Sequence, residues 1–126
     1  MNKMILIVDD SKTIRTSLTF TLSKEGYEVV AAEDGENGIT RLNELFDQQK
    51  KPAMIITDIN MPKMDGITFI KEVKKLDAFK FIPIVVLSTE SQDDKKLEGR
   101  RAGAAGWIVK PYTAETLVGV VRKFVR

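Results

Sequence analysis

The sequence predicts a single α/β domain built on a five-stranded parallel sheet with five helices. Five short apolar runs rich in β-branched residues alternate with five segments whose apolar residues recur at helical spacing. The apolar runs are nearly continuous, which is typical of parallel strands that helices cover on both faces. No repeat or linker interrupts the alternation, so we expect one domain over residues 1–126, without an attached output domain.

The predicted strands are short and well separated along the chain. They are Met4–Val8, Glu28–Ala32, Met54–Thr57, Ile84–Leu87 and Trp107–Val109. Each gap between them is long enough for one helix, as a crossover between parallel strands requires.

Most of the helices are predicted from apolar residues that fall three or four positions apart. These are Ile14, Leu18 and Leu22; Ile39, Leu42 and Phe46; Ile67, Ile70 and Val73, after Gly66; and Leu117, Val120, Val121 and Phe124. We expect Asp34 and Thr113 to cap the second and fifth helices. Gly26 is expected to end the first helix in a left-handed conformation.

The fourth helix, near residues 91–102, has the weakest pattern. Leu97 is its only large apolar residue, and Gly99 inside it costs about 1 kcal/mol relative to Ala. We expect this helix to be the least stable of the five.

The composition excludes several classes of chemistry. The chain has no Cys and no His, which rules out disulfides, thiolate or imidazole metal sites and triads with a His base. Lys and Arg total 20 against 18 acids, and most of the basic pairs are expected to be solvated. No apolar run approaches the roughly 20 residues of a membrane span, so we expect a soluble cytoplasmic protein.

Polar side chains follow four of the five predicted strands. They are Asp9 and Asp10 after the first strand, Asp58 after the third, Ser88 and Thr89 after the fourth, and Lys110 after the fifth. Singly, each acid or hydroxyl could cap a helix or turn, and the lysine could be solvated. Because ligands of open parallel sheets bind outside the carboxyl ends of the strands, we expect these side chains to form one site.

The acids of this edge point to a metal ion. Two carboxylates about 5 Å apart repel by about 3 kcal/mol at an effective dielectric of about 20, and a helix needs only one acid as its cap. Three clustered carboxylates therefore need a cation, and Mg²⁺ fits better than Ca²⁺ because it requires fewer protein oxygens. The sequence predicts a magnesium site at Asp9, Asp10 and Asp58.

The same residues indicate phosphoryl chemistry without a cradled nucleotide. Neither G-x-G-x-x-G after the first strand nor G-K-[ST] anywhere is present. An Asp beside Mg²⁺, with a hydroxyl and an ammonium to hold phosphoryl oxygens, can form an aspartyl phosphate. Asp58 is the best candidate nucleophile because it stands alone on the third strand, with Ser88 and Lys110 as its catalytic helpers.

Four motifs resemble one known family along the whole chain. "LIVDDS", "TDINMPKMDG", "VVLSTES" and "GAAGWIVKPYTAETL" occur in the order found in receiver domains of two-component response regulators. The chain is most similar to the stand-alone regulators of chemotaxis in that family. The resemblance implies a flavodoxin-like fold with strand order 2-1-3-4-5 and a cis bond between Lys110 and Pro111.

The resemblance also implies a role for each residue of the site. Asp58 is then the phosphorylated residue, Ser88 the switch hydroxyl and Lys110 the phosphate-binding lysine. The Mg²⁺ ligands are Asp10, Asp58 and the backbone carbonyl of Asn60, with Asp9 acting directly or through water. Such a protein is not a conventional enzyme, although it catalyses its own phosphorylation and dephosphorylation.

The expected partners follow from the same resemblance. A histidine kinase donates the phosphoryl group, and a downstream protein binds the face formed by the fourth helix, fifth strand and fifth helix. We expect a monomer that binds neither nucleic acid nor membrane and acts in chemotaxis or motility. An intermediate receiver of a phosphorelay is the alternative.

Two positions depart from the family pattern. Trp107 replaces the Tyr or Phe that usually serves as the switch aromatic of the family. Trp107 is therefore equally well interpreted as a switch aromatic or as a side chain that only fills space in the core or at the sheet edge. Thr89 replaces Ala or Gly and could narrow access to Asp58.

Two other function classes are disfavoured by the motifs. A magnesium phosphatase like the haloacid dehalogenases would carry D-x-D on the first strand, where this chain has D-D-S. A flavin-binding module would carry a glycine- and hydroxyl-rich phosphate loop, which this chain lacks.

Overall fold

Every predicted strand and helix is present in the computed structural model, which describes residues 2–125. The strands are β1 (Met4–Val8), β2 (Glu28–Ala32), β3 (Met54–Thr57), β4 (Ile84–Ser88) and β5 (Gly106–Val109). The helices are α1 (Lys12–Lys24), α2 (Gly35–Asp47), α3 (Gly66–Lys74), α4 (Asp93–Ala102) and α5 (Ala114–Phe124). Compared with the predictions, β4 ends one residue later and β5 begins one residue earlier.

The strands form one parallel sheet in the order β2-β1-β3-β4-β5. The fold class and strand order expected from the sequence are therefore confirmed. β1 pairs with both β2 and β3, so the strand order reverses there and a crevice opens beyond the carboxyl ends of these strands.

The hydrogen-bonded ladder continues one residue past the strands at this crevice. Asp9 N–H donates to the carbonyl of Ala32 at 3.1 Å, and Asp58 N–H donates to that of Val8 at 2.9 Å. On the far side, Lys110 N–H donates to the carbonyl of Ser88 at 2.8 Å. The backbones of Asp9, Asp58 and Lys110 are thus fixed by the sheet itself.

Two separate cores lie on the two faces of the sheet. Successive side chains of a strand point to opposite faces, so Leu6 and Val8 join one core while Ile5 and Ile7 join the other. The first core includes residues of α2 and α3, and the second includes residues of α1 and α5. The expectation that helices cover both faces is confirmed.

The predicted helix termini are also confirmed. The carboxylate of Asp34 accepts from Asn37 N–H at 2.8 Å, and the hydroxyl of Thr113 accepts from Thr116 N–H at 3.0 Å. Gly26 adopts a φ of 89°, a left-handed conformation that glycine reaches without steric cost.

One side chain lies elsewhere than the sequence predicted, and one basic residue is an exception to a general expectation. The periodicity of α2 placed Phe46 on its apolar face, but Phe46 is 58% exposed and Leu45 is buried instead. Most of the basic pairs were expected to be solvated; Lys74, a member of one pair, is an exception, because it is half-buried and donates to the carbonyls of Lys80 and Ile82.

The fourth helix buries little of its surface. Gly99 is the only buried residue of α4, and no side chain caps its N-terminus at Gln92. Within residues 2–125, no helix has both the length and the apolar character needed to cross a lipid bilayer.

Candidate functional site

Three carboxylates meet at the crevice between β1 and β3. One oxygen each from Asp9, Asp10 and Asp58 lies within 4.8 Å of the other two. Asp9 and Asp58 are 2% and 8% exposed, whereas Asp10 is exposed to solvent. The structure therefore brings together all three acids that the sequence placed at this edge.

Asp9 is the most buried member of this acidic cluster. One of its oxygens accepts from Ser11 N–H at 2.9 Å, and the other lies 3.0 Å from the ammonium of Lys110. Burial raises the pKa of the Asp9 carboxyl, although both hydrogen bonds and the Lys110 charge oppose the rise. The charged form of Asp9 is therefore less favourable in the fold than in water.

Neither acid of the "VDD" motif caps α1. The hydroxyl of Ser11 does so, accepting from Ile14 N–H at 3.3 Å. Arg15, on the first turn of α1, donates to the backbone carbonyl of Asp9 at 2.7 Å. Both contacts hold the loop between β1 and α1, and neither was predicted because short loops give no periodic signal.

Asp58 is held by the backbone around it. One carboxylate oxygen accepts from Ile59 N–H at 2.7 Å, and the other lies 3.4 Å from the Lys110 ammonium. Gly66 is needed beside it, because a Cβ there would overlap the carbonyl oxygen of Asp58 and lie 2.8 Å from Ile59 Cα. The first residue of α3 therefore presses directly against the segment that carries Asp58.

Lys110 connects the fifth strand to the acidic cluster. Burial lowers the pKa of its ammonium, but the contacts with Asp9 and Asp58 outweigh that effect and raise the pKa overall. Lys110 therefore stays charged at neutral pH. Its peptide bond to Pro111 is cis, as the resemblance implied.

Ser88, at the end of β4, is bonded to Glu90 in the loop that follows this strand. Ser88 is fully buried, and its hydroxyl accepts from Glu90 N–H at 3.2 Å. Thr89, between them, is exposed. Asn60 is also exposed, in the loop that follows Asp58.

Trp107 reaches the same loop from β5. Its indole N–H donates to the backbone carbonyl of Glu90 at 2.9 Å, so Ser88 and Trp107 bind the two polar backbone groups of one residue. Gly99 of α4 leaves room for the ring, because a Cβ there would lie 2.8 Å from Trp107 Cζ3. The glycine that weakens α4 is explained by this contact, which lies beyond the reach of local sequence patterns.

The donors of the acidic cluster suit a hard divalent cation. All three are carboxylate oxygens, the ligands that Mg²⁺ prefers, and one ammonium faces two of them. One lysine against three acids leaves a net negative charge, which a divalent cation would neutralise.

Comparison with known proteins identifies the family of the chain. Residues 5–122 match the family described as response regulator receiver domain. The chain is 38% identical over 113 residues to the chemotaxis protein CheY1 of Helicobacter pylori, an alignment that covers 90% of this chain and 89% of that one.

A longer relative and a solved structure extend the comparison. The chain is 32% identical over 126 residues to the alkaline phosphatase synthesis transcriptional regulatory protein PhoP of Bacillus subtilis, but spans only 50% of that protein. The structure of the chemotaxis response regulator CheY4 of Vibrio cholerae superposes with a TM-score of 0.88 at 39% identity, covering 99% of this chain and 100% of that one. The chain belongs to the family of response regulator receiver domains.

Proposed function

We propose that the protein is a phosphoacceptor of a two-component system, which takes a phosphoryl group onto Asp58 with Mg²⁺. One observation supports this proposal most strongly. Asp58 is a buried carboxylate whose oxygen lies 3.4 Å from the Lys110 ammonium. One oxygen each of Asp58, Asp9 and Asp10 lies within 4.8 Å of the other two, so that a single metal ion could contact all three. This set provides a nucleophile, a cation for the phosphoryl oxygens and oxygen ligands for a metal.

The proposed reaction moves a phosphoryl group from a phosphohistidine of a kinase to an oxygen of Asp58. The O–P bond forms as the N–P bond breaks, and the imidazole leaves with the electron pair of that bond. Mg²⁺, held by Asp10, Asp58 and the Asn60 carbonyl with Asp9 directly or through water, would neutralise charge on the phosphoryl oxygens. Lys110 would exchange its contact with Asp58 for a phosphoryl oxygen, and the Ser88 hydroxyl would donate to another.

The phosphoryl group would act as a signal for a partner protein. We propose that the target binds the face of α4, β5 and α5, and that the pathway is chemotaxis or motility. The similarity to CheY1 and CheY4 supports this pathway. An intermediate role in a phosphorelay is the alternative, which rapid transfer from phosphorylated Asp58 to a second histidine protein would reveal.

Small phosphodonors provide the direct test of the acceptor. Acetyl phosphate with Mg²⁺ should add one phosphoryl group per chain, and Asp58→Asn should abolish the adduct in intact-mass spectra. Asp77→Asn, at a 97% exposed carboxylate remote from the site, should retain full labelling. Stoichiometric labelling of Asp58→Asn would contradict the assignment, and steady turnover of an aryl phosphate would favour a phosphatase instead.

A further inference from the structure

A second concave surface lies at the opposite, amino-terminal edge of the sheet. It has a volume of about 610 Å³ and lies between the end of α2 and the loop after α3, lined in part by Phe46, Phe79, Lys50 and Lys51. We call it the amino-edge cleft. Its two segments precede β3 and β4, whereas Asp58 follows β3. Because β3 has four residues, the sheet separates the cleft from Asp58 by roughly 13 Å, at about 3.3 Å per residue.

The cleft presents an aromatic side chain that a second aromatic holds in place. Phe46 is 58% exposed, and its ring meets the buried ring of Phe79 edge to face, with centroids 6.3 Å apart. Edge-to-face pairs fix ring orientation and add stability beyond that of burial alone. Phe46 is thus an ordered apolar surface rather than a loose side chain.

The half-buried ammonium of Lys74 orders the loop that follows Phe79. Lys74 Nζ donates to the carbonyls of Lys80 at 2.9 Å and Ile82 at 3.2 Å, the residues on either side of Phe81. Burial lowers the pKa of Lys74, because removing the ammonium from water disfavours its charged form. The two hydrogen bonds to carbonyls partly replace the lost contacts with water. Phe81, between the two bonded carbonyls, is 87% exposed and lies outside the lining of the cleft.

The charges around the cleft favour an acidic ligand. Lys50 and Lys51 outnumber Asp47 in its lining, and neither lysine forms an ion pair within residues 2–125. The ammonium of Lys80 lies 5.4 Å from the centroid of the Phe81 ring, but it also lies 3.4 Å from the Asp77 carboxylate, so this pair adds no net charge. Lys50 and Lys51, which line the cleft with Phe46, therefore suit a ligand in which carboxylates neighbour an apolar residue.

We propose that the amino-edge cleft is a second docking surface, which binds an acidic peptide segment of another protein through an apolar anchor beside Phe46. Its position on the opposite edge of the sheet from Asp58 makes this binding independent of phosphorylation. The surface would recruit a partner constitutively, while the α4, β5 and α5 face responds to the signal.

Titration of the ¹⁵N-labelled protein with synthetic peptides tests the proposal. The probe is a short peptide in which Asp and Glu flank one Phe and one Leu. One control peptide replaces the acids with Lys, and another replaces Phe and Leu with Ser. We expect saturable amide shifts at the cleft with the acidic apolar peptide alone, and unchanged affinity when Asp58 carries beryllofluoride.

Matched variants identify the contacts. Phe46→Ser, at the exposed aromatic of the lining, should weaken binding about fivefold, the loss typical of removing one interface anchor. Lys74→Met, which releases the loop without touching the peptide, should also weaken it. Phe20→Ser is the control, because Phe20 is 67% exposed on α1 and outside the cleft. All three variants should keep the phosphoryl uptake of the wild type.

Four results would overturn the proposal. These are the absence of saturable shifts, equal binding of the Lys peptide, a change in affinity with beryllofluoride, or unaltered affinity in Phe46→Ser. Shifts at the cleft that grow with protein concentration, without peptide, would instead assign this surface to a second copy of the chain.

Discussion

Asp9 and Asp10 are neighbours in the chain but differ in burial, and therefore in their effect on the metal-free protein. Asp9 is 2% exposed with a raised pKa, whereas Asp10 is exposed. The electrostatic penalty that the sequence assigned to the pair therefore falls mainly on Asp9. Such a penalty is retained at a site whose function needs charge.

We expect Asp9→Asn to raise the metal-free melting temperature at neutral pH, because Asn keeps an acceptor for Ser11 N–H but removes the buried charge. Since the folded pKa of Asp9 lies above its unfolded value, stability falls as pH rises from about 3.8 through the folded pKa. The advantage of the variant should therefore be small at low pH and complete at neutral pH. Thermal unfolding in EDTA across this range measures it.

Asp10→Asn provides the matched comparison and should give a smaller rise. Mg²⁺ at about 100 times its dissociation constant should stabilise the wild type by about 2.7 kcal/mol, and both variants less. A fall in metal-free stability for Asp9→Asn would show that its contact with Lys110 outweighs its desolvation.

Two glycines inside helices should respond oppositely to replacement by alanine. A Cβ at Gly119 in α5 would have no neighbouring atom within 4 Å, whereas a Cβ at Gly99 in α4 would lie 2.8 Å from the Trp107 ring. Gly119→Ala should raise the free energy of unfolding by about 1 kcal/mol, or roughly 3–5 °C in Tm. Gly99→Ala should lose this gain, because the ring must move.

Tryptophan emission separates the two cases, since Trp107 is the only tryptophan of the chain. We expect altered emission in Gly99→Ala and none in Gly119→Ala, because only the former strains the indole bond to Glu90. Equal stabilisation of both variants with unchanged emission would show that the Trp107 ring accommodates a Cβ at position 99 without a loss of stability.

At the scale of the whole molecule, the fold and the acidic edge follow from strong local signals. Strand residues are continuous and apolar, and each polar site residue comes directly after its strand, so the parallel sheet alone brings them together. The exposure of Phe46, the clamp made by Lys74 and the reason for Gly99 depend on contacts with residues distant from each helix face. Periodicity cannot predict contacts of this kind, and it misplaced Phe46 by choosing it over Leu45.

Glu90 connects the site to the face of α4, β5 and α5. Ser88 accepts from the N–H of Glu90, and Trp107 donates to the carbonyl of the same residue. If the Ser88 hydroxyl turns to a phosphoryl oxygen, its contact with Glu90 is lost, and the loop that anchors Trp107 can shift. α4 buries only Gly99, so this face resists such a shift weakly.

Beryllofluoride with Mg²⁺ should therefore change Trp107 emission in the wild type. Ser88→Ala should still form the adduct but show a smaller change, because its side chain cannot follow the phosphoryl oxygen. Thr116→Ala, at an exposed hydroxyl on α5, should respond like the wild type. Unaltered emission at saturating beryllofluoride, with binding confirmed by ¹⁹F NMR, would leave Trp107 as a fixed support of the loop, and the signal would have to leave Asp58 by another route.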